Sequence, residues 1–408
     1  MKSMERWTKR IVAAYAVASG CVIASGCERK QDPPDAPALA QETSEAQTKL
    51  DVDDPQACAP CHGALVEEWT ESMHARAHHE RDPIYGSMRA LRMKKQGAEV
   101  ASKCASCHTP RAGGDDASAA ALAGVSCATC HAISSVRPGE GHGAQALTWA
   151  EDGAMRGAKT LAPGASPAHG TGDALEAIAD GQTLCLTCHG ELEAAPGVVA
   201  CSTGAEHELG GEAQTCVECH MPEVDGPAGA VGSQLRHRSH AFPGPHRAWY
   251  QRDASQLARA VVASAELNDG VVTVRLKNES AHAFPTGFPG RYAVVIVRAL
   301  DAQGEELWSN AAGGPASAGE GAFLGKIYHD ANGEPVPAAF ATSLASDTRL
   351  ETKSPRTLEI AVGEVEEASS VEVKLVYGLL PGPLAKKLGL SEAPEATPKV
   401  AWETTLTP

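Results

Sequence analysis

Apolar and polar residues follow different patterns in the two halves of the chain. After about residue 255 the period is two. Val272, Val274 and Leu276 alternate with Thr273, Arg275 and Lys277, behind an Asn268-Asp269-Gly270 turn. Leu358, Ile360 and Val362 alternate again, as do Val371, Val373, Leu375 and Tyr377, and Tyr292–Val297 is a nearly continuous apolar run. Such runs between turn residues predict strands. Seven or so strands in about 125 residues predict an immunoglobulin-like β-sandwich. It is placed over residues 255–385, with a C-terminal tail over 386–408. Earlier, Leu65–His74 and Ser87–Lys95 have helical character, and Pro138–Gly172 is a Gly-, Ala- and Pro-rich loop. Residues 53–250 are therefore predicted to be mostly helical and loop structure. The fold class is α+β and multidomain, which agrees with the length of 408 residues.

The first residues read as a targeting segment. Lys2, Arg6, Lys9 and Arg10 precede an apolar, small-residue run from Ile11 to Ala24. Ala24-Ser25-Gly26-Cys27 is similar to a bacterial lipoprotein processing site, with Cys27 as the lipidated residue and 1–27 as the signal peptide. Ala24 stands where Leu is commoner, and Ala18-Ser19-Gly20-Cys21 repeats the pattern, so an ordinary cleaved secretory signal stays open. A membrane-spanning helix fits less well, because the run is short and broken by Ser and Gly. Each reading exports the chain. Residues 28–52 are rich in Pro, Ala, Gln, Asp and Glu, the composition of a disordered linker.

Composition sharpens the contrast. Apolar residues are 43% of the chain, but Phe, Trp and Tyr are only 4%. That is little bulk for a large core. Five Cys-x-x-Cys-His motifs account for the shortage: Cys58, Cys61 and His62; Cys104, Cys107 and His108; Cys127, Cys130 and His131; Cys185, Cys188 and His189; Cys216, Cys219 and His220. A random chain of this composition would hold about 0.02 such strings. The motif attaches a c-type haem: the thiols bind its two vinyl groups and the histidine becomes the proximal iron ligand. Zinc also takes paired cysteines, but does not need a histidine after every second one. Five covalent haems would supply the missing apolar mass and, since c-type haem is attached outside the bacterial cytoplasm, agree with export to the periplasm or outer surface. Motif starts lie 46, 23, 58 and 31 residues apart, and the 23-residue interval suggests contact between the second and third haems. The net charge of −16 argues against nucleic acid and fits docking to a basic redox partner.

A haem iron held by one histidine has a sixth position. Sixteen histidines, five of them in motifs, leave eleven candidates. His74 follows the first motif in Trp69-Thr70-Glu71-Ser72-Met73-His74, where a helix would aim it at a neighbouring haem. His237, His240 and His246 cluster in HRSHAFPGPH beyond the last motif, with His240 preferred, then His246. His282, in NESAHAFPTGFPG, would reach back from the strands. His142, His169, His207 and His329 read as loop surface residues, like His78 and His79, while Met73 and Met221 are thioether candidates. Cys201 is a lone thiol, read as buried.

These features resemble the multihaem cytochromes c related to the tetrahaem cytochrome of ammonia oxidisers and to octahaem hydroxylamine oxidoreductase. The resemblance rests on CAPCH followed by Trp69, Ser72 and His74, on GVSCATCH at Gly124–His131, on CHMP at Cys219–Pro222 and on RSHAFPG. It covers about residues 55–245 and is best over 55–131. It implies that His74 and His240 are distal ligands and that the haems pack as a wire. The strand-rich half is similar to domains appended to some such cytochromes. Pentahaem nitrite reductases carry one Cys-x-x-Cys-Lys, whereas all five motifs here end in histidine. That departure favours electron transfer between redox partners over catalysis. The alternative is an oxidoreductase with one open haem acting on a small nitrogen or sulfur compound.

Overall fold

The structure is a computed structural model that describes residues 50–211, 213–231, 234–319, 321–362 and 367–408. The expected signal segment, with Cys21 and Cys27, and the linker as far as residue 49 lie outside them. Leu50–Pro408 forms one compact unit. No helix among the described residues is long and apolar enough to cross a membrane.

The first half is built from short helices and loops. Its longest helices are Ala59–Thr70, Pro83–Gln96 and Val100–His108. Asp82 caps the second of these by accepting from the Ile84 and Tyr85 N–H groups (2.9 and 3.1 Å), and Pro83 fills a first-turn position that needs no donor. The helix predicted over Leu65–His74 stops at Thr70. There Ser72 Oγ donates to Trp69 O (2.6 Å) and accepts from Ala75 N–H (3.3 Å), replacing the helical ladder with side-chain bonds. His74 therefore lies in a turn. Before residue 248, the large buried apolar side chains are few, among them Val66, Trp69, Ile84 and Ile133, and most other buried apolar positions are alanine.

The alternating segments form strands. Asn268-Asp269-Gly270 turns the chain with φ +48° at Asp269 and +73° at Gly270, the left-handed pair a tight hairpin requires. Val261–Asn268 and Pro355–Ala361 flank Val271–Asn278 in a three-stranded antiparallel sheet. The second, six-stranded sheet runs Ser343–Asp347, Phe323–His329, Tyr292–Leu300, Ser370–Gly378, Lys399–Leu406, with Glu306–Ser309 also pairing to Tyr292–Leu300. Val272, Val274 and Leu276 from the first sheet share one core with Val294, Val373 and Leu375 from the second.

The tail predicted over 386–408 is corrected. Lys399–Leu406 pairs along Ser370–Gly378 as an outer strand of the larger sheet. Its sequence, KVAWETTL, alternates too weakly to announce a strand; the paired neighbour supplies the order. The boundary predicted near residue 250 is a packed junction. Trp249 Nε1 donates to Thr397 O (3.0 Å), Tyr250 Oη donates to Glu395 (2.7 Å), and Ile84 and Trp249 belong to the strand core.

Candidate functional site

All ten motif cysteines and five motif histidines line one cavity of about 2930 Å³. A pocket for one drug-sized ligand holds ~300–1,000 Å³, so this space suits several large groups. Four motifs end short helices on their histidines: Val100–His108, Cys127–His131, Thr183–His189 and Cys216–His220. In the first motif the helix kinks at His62. A helical turn puts the two cysteines, three residues apart, on one face. Ser126 and Thr215 start two of these helices through capping boxes with Thr129 and Glu218.

The motif thiols meet in pairs: Cys58 with Cys127, Cys107 with Cys188, and Cys185 with Cys216. The first motif thus adjoins the third, and the fourth adjoins both the second and the fifth. The third motif meets the first because the segment before it docks on the turn after the first helix. Val125 N–H donates to His74 O (3.0 Å) and Trp69 Nε1 donates to Val125 O (2.8 Å). Gly124 permits the approach: its φ is +68°, and a Cβ there would lie 2.6 Å from His74 O.

Four motif histidines are paired with a second histidine. The ring centroids lie 6.4 Å apart for His62 and His169, 6.2 Å for His189 and His74, 6.2 Å for His131 and His240, and 6.4 Å for His220 and His282. Two imidazoles sharing one metal, with bonds of ~2 Å and a ring radius of about 1.1 Å on each side, hold their centroids roughly 6.3 Å apart. The hydrogen bonds agree. Nδ1 donates to Ala228 O from His62 (2.7 Å), to Arg156 O from His131 (2.6 Å) and to Pro243 O from His220 (2.8 Å). On the opposite side it donates to Gly170 O from His169 (2.8 Å), to Arg238 O from His240 (2.9 Å) and to Ala283 O from His282 (3.1 Å). A carbonyl only accepts, so Nδ1 holds the proton and Nε2 keeps a free lone pair. Burial lowers the pKa of His74 to about 3, helped by the neighbouring His189, His220 and His240. Burial likewise lowers His240 to about 4 and depresses His131, His189 and His282. These rings are neutral, the form that binds a metal.

His108, of the second motif, is different. Its Nδ1 donates to Ala77 O (3.2 Å) and its ring stacks on Tyr85, centroids 3.7 Å apart and planes at 12°. Among the described residues no histidine ring pairs with it. Nor do three His, Cys, Asp or Glu side chains gather anywhere among the described residues to hold a metal ion by themselves, as a structural zinc site requires. Paired thiols, opposed imidazoles and a large apolar cavity fit c-type haem. Bound there, haem supplies reversible one-electron chemistry at iron.

Residues 57–132 match the family model of cytochrome c554 and c-prime. The structure is similar to the crystal structure of a penta-heme cytochrome c552 from Thermochromatium tepidum, with a TM-score of 0.70 and 25% sequence identity, over 86% of this chain and 98% of that one. Together these findings support a multihaem cytochrome c. No curated protein matches the chain in sequence.

In this chain His74, His240 and His282, candidates from the sequence, all stand opposite motif histidines. His246 does not. Its ring lies parallel to Tyr250, 6.2 Å away, and among the described residues no motif histidine ring pairs with it. His237 has both nitrogens engaged, by Gly226 O (2.9 Å) and Glu68 (3.2 Å), as has His78, by Asp116 O (3.2 Å) and Glu80 N–H (3.3 Å). Sequence reasoning missed His169, placed at the surface but found opposite His62. Its local sequence, Pro-Ala-His-Gly, carries no ligand signal. Its position comes from pairing of Gly170–Thr171 with Ala154–Met155, a contact across a Gly/Pro-rich loop. Cys201 donates its thiol to Gly287 O (3.4 Å), and Met73 and Met221 line the cavity.

Proposed function

We propose that this chain is an exported pentahaem cytochrome c that carries electrons along five covalently bound haems between redox partners. The four histidine pairs at 6.2–6.4 Å carry the reading. Two imidazoles per iron keep the coordination sphere unchanged on reduction, which suits electron transfer over bond making. The thiol contacts suggest a route. The first and third haems would adjoin through Cys58 and Cys127, and the fourth would meet the fifth through Cys185 and Cys216. Cys130 also lies near Cys188, which would join the third haem to the fourth. The second haem would branch from the fourth through Cys107 and Cys188.

That branch supports a second reading, an oxidoreductase in which the second haem is open to a small nitrogen or sulfur compound. The supporting observation is that His108 has Tyr85 beside it and, among the described residues, no histidine opposite. The remaining parts of the proposal are attachment of lipid at Cys27, residence in the periplasm or on the outer surface, a basic partner, and an immunoglobulin-like arrangement of the strand-rich half. Electron paramagnetic resonance of the oxidised protein tests both readings. Electron transfer through paired histidines requires low-spin iron at the first, third, fourth and fifth haems. The open-haem reading requires one high-spin iron that binds cyanide or nitric oxide.

A further inference from the structure

His282 differs from His74, His169 and His240 in coming from the strand-rich half. It lies in the loop between Val271–Asn278 and Tyr292–Leu300. That loop is held by a carboxylate of the first half. Glu206 sits on the helix Thr203–Gly210, between the fourth and fifth motifs. Its Oε2 accepts from Thr286 Oγ1 (2.6 Å) and from the backbone N–H of Ala283 (3.2 Å), the residue after His282. Its Oε1 accepts from Ser202 Oγ (2.6 Å) and Arg349 Nη1 (2.6 Å). Arg349 also donates to Pro285 O (3.2 Å) and pairs with Asp347. On the carbonyl of the same peptide group, the fully buried Asn278 donates Nδ2 to His282 O (2.8 Å), and it also donates to Leu350 O (3.1 Å). The single peptide group that follows the ligand is thus gripped at both its polar atoms, at its carbonyl by Asn278 and at its N–H by Glu206.

The Glu206 and Arg349 side chains are each 11% exposed. A buried ion pair returns little net stability, because desolvation cancels most of its attraction. What this pair does provide is one fixed geometry, with four donors converging on one carboxylate. We propose that Glu206 is a positioning residue for the sixth ligand of the fifth haem. Through it, coordination of that iron depends on contact between the haem-binding half and the strand-rich half. The proposal rests on the reading that His220 and His282 share an iron.

The test uses the haem-loaded full chain, with covalent haem counted by mass. His282→Ala should turn one haem high-spin, and added imidazole should return it to low spin. Glu206→Ala should make part of that same haem population high-spin, again reversible by imidazole, with all haems still attached. If His282→Ala leaves the spectrum unchanged, the underlying ligand assignment fails. If His282→Ala responds but Glu206→Ala gives a wild-type spin state, the positioning role alone is overturned. Should Glu206→Ala not accumulate, Thr286→Val decides. It removes one bond to the carboxylate and keeps the ion pair with Arg349. A smaller high-spin fraction at the same haem supports the proposal, and a wild-type spectrum refutes it.

Discussion

His169 and His246 show how little a histidine's neighbours in sequence say about its task. His246 lies among prolines in a histidine-rich segment, yet its ring is set beside Tyr250. His169 lies in a bland loop, yet it faces His62 and directs its Nδ1 proton to Gly170 O. His169→Ala should therefore convert one haem to high spin with covalent attachment intact, as read by electron paramagnetic resonance. His246→Ala should leave the low-spin signals unchanged. The histidines opposite motif histidines that could be read from the sequence were those near a local signal: His74 close behind the first motif, His240 in RSHAFPG, His282 between glycines and prolines. A histidine positioned only by distant backbone pairing, as His169 is, has no such signal.

The elements divide along the same line. Strands with strict alternation could be read directly, because burial on one face and a tight turn are local demands. Val272, Val274 and Leu276 are at most 1% exposed, as that pattern requires. Leu375, also 1% exposed, lies in the shared core. Leu375→Ala should cost about 2–5 kcal/mol, measurable as a lower denaturant midpoint of the strand-rich half. Lys399–Leu406 could not be read, because its order comes from Ser370–Gly378. Deleting residues 386–408 would strip that strand's outer edge and remove the partners of Trp249 and Tyr250. The expected outcome is loss of soluble, haem-loaded protein, measured as yield after export; a normal yield would show the strand to be dispensable. Helix ends were less legible than helix interiors: Ser72, not the apolar pattern, decides where the first helix stops.

At the scale of the molecule, the two halves bury apolar surface by different means. The strand-rich half packs side chains on side chains. The first half surrounds a cavity of about 2930 Å³ with alanines, thiols and imidazoles. The scarcity of aromatic residues anticipated this contrast. The packed junction between the halves was not legible, since its contacts join residues more than a hundred positions apart, as Trp249 joins Thr397. A chain made without haem attachment should leave the first half unfolded, as metal-dependent domains are without their metal; rapid proteolysis between residues 50 and 250 would reveal it. The central claim is an array of haems of which four have paired histidines and the second does not. The most direct measurement is spin quantification by electron paramagnetic resonance on oxidised protein whose covalent haem has been counted. The account predicts five haems, four low-spin and one high-spin. Five low-spin irons, fewer than four, or a haem count below five would contradict it.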